Sequence, residues 1–95
     1  MRLSQNYIDV IKEKFHKVFG EGEVYLFGSR VDDSLKGGDI DLYLVIEEHR
    51  DSFRKKIKFL AQVKRELGEQ KIDVLFNQDK NRLIEQEAIK WGIKL

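Results

Sequence analysis

Three aspartates carry the first chemical signal in this chain. Asp39 and Asp41 lie two residues apart in Asp39-Ile40-Asp41-Leu42-Tyr43-Leu44-Val45-Ile46, a stretch whose apolar residues recur at every second position as they do in a strand. Their side chains then point to one side, roughly 7 Å apart along the chain. Asp73 sits in Lys71-Ile72-Asp73-Val74-Leu75-Phe76, opposite Ile72, Val74 and Phe76. Aspartate is disfavoured inside strands, and carboxylates held close together raise one another's pKa unless a cation neutralises them. If the two strands pair, Asp39, Asp41 and Asp73 meet on one open face of a sheet. An oxygen-only donor set in a chain without cysteine suits Mg2+ or Mn2+ rather than zinc. Taken singly, each aspartate also fits a strand start or an outward strand position; it is their conjunction that points to a metal site.

Phe27-Gly28-Ser29-Arg30 supplies a second element. A strand that ends in Gly28-Ser29 before a short helical turn offers backbone N–H groups and a hydroxyl where a phosphate can approach closely. Gly-Ser is also an ordinary turn pair. The chain has no Gly-Lys-Ser or Gly-Lys-Thr, so this is not a Walker loop, and no Gly-x-Ser-x-Gly, so it is not a serine-hydrolase elbow. His16 and His49 read as surface residues that the chemistry does not require. Tyr43 reads as a packed strand tyrosine or a residue lining the site, and Trp91 as core or interface.

These residues need elements to position them. Residues 5–19 have apolar residues at helical spacing (Tyr7, Ile8, Ile11, Phe15, Val18, Phe19), with Ser4 as N-cap and Gly20 just past the end. Residues 24–27 read as a short buried strand, and 31–38 as a loop with at most one helical turn. Residues 39–46 form the second strand. A second long helix follows, capped near Asp51 or Ser52, with Phe53, Ile57, Leu60, Val63 or Lys64, and Leu67 inward, and Gly68 as its stop. Residues 71–76 form the third strand. The last helix covers 81–91, with Leu83, Ile84, Ala88 and Trp91 inward. The order is α-β-loop-β-α-β-α.

Composition narrows the function classes. The 95 residues suit one domain, 1–95, with one modest core. Lys and Arg total 18 against 17 Asp and Glu, a net charge of +1 that argues against a DNA-coating protein, an acidic tail or a polybasic membrane binder. No stretch is long and apolar enough for a membrane span or a signal-peptide core. The expectation is a small, soluble, cytosolic domain.

Phe27-Gly28-Ser29-Arg30, the loop to Gly38, and Asp39-Ile40-Asp41-Leu42 together resemble the signature of the DNA polymerase β-like nucleotidyltransferases, and more narrowly the minimal nucleotidyltransferases of prokaryotes. Asp73 in Lys71-Ile72-Asp73-Val74-Leu75 matches their third aspartate, and the resemblance spans essentially the whole chain. It implies a small mixed α/β fold with helices packed on one face of the sheet. It also implies ATP as substrate and two bound ions, Mg2+ with Mn2+ as the alternative. By position, Asp39 and Asp41 would bind both metals, and Asp73 would bind the one nearer the acceptor and help activate its hydroxyl. Gly28 and Ser29 would hold the β- and γ-phosphates, with Arg30 in support. Gly38 departs from the pattern, standing where many relatives have Ser.

The same resemblance implies a biological role. Larger relatives carry a helical domain that grips base and acceptor, so a second polypeptide or a homodimer would complete the site here. Minimal nucleotidyltransferases pair with HEPN-domain proteins, RNase-like toxins that they neutralise by moving AMP onto a tyrosine. Two alternatives stand beside this antitoxin role: a non-catalytic subunit that blocks its partner sterically, and a nucleotidyltransferase for a small molecule.

Overall fold

A computed structural model describes residues 3–31 and 38–95. Most of the expected loop over 31–38 therefore lies outside the described residues. Helix α1 (Gln5–Phe19) begins where the Ser4 hydroxyl accepts the Tyr7 N–H at 3.2 Å, and ends at Gly20, whose φ of 85° suits a residue without a Cβ. Strand β1 (Glu23–Phe27) runs into a 3₁₀ turn (Gly28–Val31), which begins at Gly28 itself and not after the Gly28-Ser29 pair. Strand β2 (Ile40–Val45), helix α2 (Ser52–Leu67), strand β3 (Ile72–Phe76) and helix α3 (Leu83–Trp91) complete the expected order. A two-residue strand β4 (Ile93–Lys94) was not foreseen; it pairs with β1 at Tyr25 and Leu26.

Among the described residues the sheet has the order β3-β2-β1-β4. β1 runs antiparallel to β2 and to β4, whereas β2 and β3 are parallel. A parallel pair needs a crossover connection, and α2 is that connection. The fold is thus a small mixed α/β arrangement. Alternation along the strands divides the sheet into two unlike faces. Val24, Leu26, Ile40, Leu42, Leu44, Ile72 and Phe76 turn toward α1 and α2, where they meet Ile11, Phe15, Phe59 and Val63 in the main core. The opposite face carries Tyr25, Phe27, Tyr43, Val45 and Leu75, packed with Ala88 of α3. The two long helices share the first face, and the short α3 crosses the second. The expectation of helices on one face therefore holds for α1 and α2 but not for α3, which Ala88 and the buried Glu85 seat against Phe27 and Tyr43.

Two helices present a different stripe from the one their periodicity predicts. In α2, Phe59 and Val63 are buried with Leu60 and Leu67 partly so, while Phe53 and Ile57 face solvent. Phe59 seats edge-on against Phe19 of α1, 6.0 Å between centroids, and that aromatic contact turns the helix away from the expected stripe. In α3, only Ala88 of the expected inward residues is buried; Leu83 is 83% exposed, and Ile84 and Trp91 are also open. The residue that takes the inward position is Glu85, 0% exposed. Its hydrogen bonds, described below, fix the rotation of α3 against the sheet.

Candidate active site

The register of the sheet brings the predicted carboxylates together. Asp41 lies directly opposite Phe27, the last residue of β1, and on its other side directly opposite Asp73 of β3. Parallel strands lie about 4.8 Å apart, so Asp41 and Asp73 are cross-strand neighbours on one face. Asp39 immediately precedes β2, one alternation back from Asp41 on that same side. All three carboxylates belong to the second face, at the end where β1 stops and away from Tyr43 and Val45.

Gly28 closes this end of the site. Its φ of 78° is left-handed, and a Cβ built there would run into the Asp41 carboxylate. Both facts require glycine, the first for the backbone and the second for space. The 3₁₀ turn therefore lays its backbone against Asp41, with Ser29 and Arg30 following. Arg30 Nη2 donates to the Gly38 carbonyl at 3.0 Å, and Gln70 Nε2 donates to the same oxygen. Gly38 is thus tied to the 3₁₀ turn and to the approach to β3 immediately before Asp39. A Ser side chain at position 38 is not needed for that tether, because the backbone carbonyl provides it.

Charge within the site is uneven. Burial holds the Asp41 carboxyl above the usual carboxylate range, the charges of Asp73 and Asp39 push it further the same way, and so does a hydrogen bond shared with Asp73. Lys71 acts in the other direction. Its ammonium stands 3.4 Å from Asp39 Oδ2, and that contact raises the lysine's own pKa. Lys71 is the residue that attention to aspartates alone overlooks. Its signal is present in the sequence: it lies two residues before Asp73, so it shares the same face.

The donor set suits a hard divalent cation, since three carboxylates offer only oxygen and the charges of Asp73 and Asp39 each act on Asp41 more strongly than the opposing charge of Lys71. Among the described residues no group of three or more His, Cys, Asp or Glu side chains is placed so that it could hold a metal ion; Asp39 is paired with Lys71 instead. Asp39, Asp41 and Asp73, the residues expected to hold an ion, are neighbours on this face without forming such a group.

A cavity of about 340 Å3 lies farther along the same face, lined by Tyr25, Tyr43, Val45, Asn77, Glu85 and Ile89 among others. None of the predicted site residues except Tyr43 reaches it, so chemistry rather than concavity locates the candidate site. Tyr43 is a packed strand tyrosine whose hydroxyl donates to Glu85 at 3.0 Å, with its pKa pushed up to about 12 by burial and by that carboxylate. His16 is exposed and His49 packs edge-on to Phe76; neither stands in the carboxylate group. Among the described residues no helix is long and apolar enough to cross a membrane.

No curated relative matches the chain. The family described as "Polymerase beta, Nucleotidyltransferase" matches it over residues 9–95, a span that contains every strand among the described residues, the Gly28-Ser29 turn, Asp39, Asp41 and Asp73. With the carboxylates aligned on the open face and the glycine turn laid against the central one, the chain belongs to the polymerase β-like nucleotidyltransferases.

Proposed function

We propose that this nucleotidyltransferase moves AMP from ATP onto a hydroxyl, that of a tyrosine on a HEPN-type RNase toxin, and so acts as its antitoxin. The observation that carries the chemistry is the placement of Asp41 between Gly28 and Asp73. Phosphoryl and nucleotidyl transfer need little covalent chemistry from the protein; positioning and electrostatics do most of the catalysis. In this reading the acceptor oxygen forms a bond to the α-phosphorus while the bond from that phosphorus to the pyrophosphate oxygen breaks. The hydroxyl proton passes to Asp73, the most exposed of the three carboxylates and the one at the outer strand. Asp39 and Asp41 orient the triphosphate side, and Gly28 and Ser29 hold its β- and γ-phosphates with Arg30 in support. Divalent ions, two of Mg2+ or Mn2+, supply charge neutralisation at the attacking and leaving oxygens when bound.

The domain, read as residues 1–95, offers its carboxylates on an open face, which favours a bulky acceptor brought by another protein. Exposed Leu83, Ile84, Ile89 and Trp91 on α3 supply apolar surface for that partner. The near-zero net charge fits a nucleotide and a protein acceptor better than a long polynucleotide. The setting is the cytoplasm, where ATP and Mg2+ are plentiful.

Incubation with α-labelled ATP, Mg2+ and a HEPN-domain protein tests the reading, followed by peptide mapping. The expected result is AMP on a tyrosine of that protein. Label found only on small hydroxyl compounds would replace the antitoxin with a small-molecule enzyme. Toxin neutralisation that survives loss of Asp41 and Asp73 would make the chain a steric blocker.

A further inference from the structure

We propose that Lys71 is a built-in counter-ion for Asp39, one that a divalent cation must displace and that moves to the nucleotide's phosphates when it is displaced. The inference rests on the reading of the three aspartates as cation ligands. Four side chains occupy the corners of one patch on β2 and β3. Asp41 and Asp73 are in register, as are Ile40 and Ile72, so one step back on each strand places Asp39 beside Lys71. The Ile40 N–H donates to the Lys71 carbonyl at 3.0 Å, which fastens the two backbones there. The Gln70 amide holds the Gly38 carbonyl next door. Backbone on both sides is thereby fixed, and the freedom left is in the side chains.

The ion pair itself is built to be released. Lys71 Nζ lies 3.4 Å from Asp39 Oδ2, with the side chains 68% and 46% exposed. Exposed pairs of this kind contribute little and cost little to break. A lysine ammonium on a flexible stem is a movable point charge, unlike the rigid fork of an arginine. A divalent ion brings twice the charge to Asp39 and outcompetes it, and a triphosphate on the same face offers the freed ammonium new anionic oxygens. Lys71 then acts as a positioning residue. Without nucleotide it keeps Asp39 engaged and weakens loading by a bare ion; with nucleotide it is drawn off and loading proceeds.

Titration of Mn2+ into wild type, Lys71→Met, Lys71→Arg and Asp41→Asn, followed by the electron paramagnetic resonance signal of free Mn2+, tests this. Without nucleotide, Lys71→Met is expected to bind Mn2+ about three- to tenfold more tightly than wild type, the Coulomb effect of removing one nearby charge at high effective dielectric. Lys71→Arg, which keeps the charge, is expected to stay close to wild type. With a non-hydrolysable ATP analogue present, the advantage of Lys71→Met is expected to vanish. Equal Mn2+ affinity of wild type and Lys71→Met without nucleotide overturns the inference while the metal reading stands. An advantage that persists undiminished with the analogue overturns the transfer of Lys71 to phosphate. Equal Mn2+ binding by wild type and Asp41→Asn removes the metal reading, and this inference with it.

Discussion

Asp41 and Glu85 meet the same face of one sheet, and the molecule treats the two carboxylates in opposite ways. Glu85 is fully buried and surrounded by donors: the Tyr43 hydroxyl at 3.0 Å, the N–H groups of Gln78 at 3.2 Å and Asp79 at 2.7 Å, and the Arg82 guanidinium at 3.4 Å. Asp41, two residues before Tyr43 on β2, is half-buried among Asp73 and Asp39, and those neighbours repel it. A buried carboxylate with donors on both oxygens closes a turn and fixes a helix. A carboxylate crowded by its own kind is costly to the fold; in the proposed function a cation offsets that cost. The contrast separates structure from chemistry on a surface where residue type alone does not.

The largest effect expected is on catalysis at the crowded end. Asp41→Asn is expected to lower transfer by about a thousandfold or more, measured as label moved from ATP per unit time, because removing one charge from the ion site forfeits several kcal/mol of transition-state stabilisation. Activity within tenfold of wild type would break the assignment. At the satisfied end, Glu85→Ala is expected to cost about 2–4 kcal/mol in urea unfolding, since it leaves the Tyr43 hydroxyl and the Asp79 N–H without their acceptor, while the Gln78 N–H keeps the Phe76 carbonyl. A loss of less than about 0.5 kcal/mol would mean that water replaces the carboxylate and that Glu85 is not structural.

Gly28→Ala touches the carboxylate end through the backbone. It forces a side chain into a left-handed φ and against the Asp41 carboxylate, with an expected cost of about 1–3 kcal/mol and loss of transfer. Stability and activity both unchanged would show that the turn does not abut Asp41 in solution. Tyr43→Phe is expected to cost only about 1 kcal/mol, because Glu85 keeps its other donors; a loss as large as that of Glu85→Ala would place the whole network in one hydrogen bond.

The smallest effect sharpens the comparison through pH. Asp41 is held above its usual value of 3.8 by burial first and then by Asp73 and Asp39, so the folded chain binds this proton more tightly than the unfolded chain does. Its stabilising share is full below the usual value and is lost as pH rises through the raised one. At neutral pH without metal, Asp41→Asn is therefore expected to be more stable than wild type by about 0.5–1 kcal/mol, modest because solvent screens a half-exposed group. The gap should close in acid. A gap independent of pH would mean that repulsion is not its source.

Legibility of the chain follows the same division. The alternation of Ile40, Leu42, Leu44 and Ile46 identified both faces of β2, because period-two patterning is a local property that burial on one side imposes. Gly28 and the aspartates were legible because residues with unusual backbone or charge stand out against strand composition. The helical stripes of α2 and α3 were legible only in part: Leu60, Val63, Leu67 and Ala88 pack inward as their spacing indicates. Phe53 and Ile57 have the right spacing to be buried, yet Phe59 takes the seat beside Phe19. Leu83 and Ile84 look apolar enough to face inward, yet Glu85 does, because donors from the turn before α3 and from Tyr43 converge on it. Which of two competing stripes docks depends on shape and polar partners in other elements, and periodicity contains neither.

By itself the sequence determined the element order as far as α3, the two faces of the strands, and the presence of three aspartates and a Gly-Ser turn that resemble a nucleotidyl transfer signature. These are short-range facts, written in residue type and spacing. Tertiary structure alone decided that Asp41 stands between Gly28 and Asp73, that Lys71 holds Asp39, and that Glu85 rather than Leu83 or Ile84 anchors α3. Each of those depends on the register between strands far apart in the chain, or on donors gathered from several elements. Such pairings are settled only when the whole sheet closes.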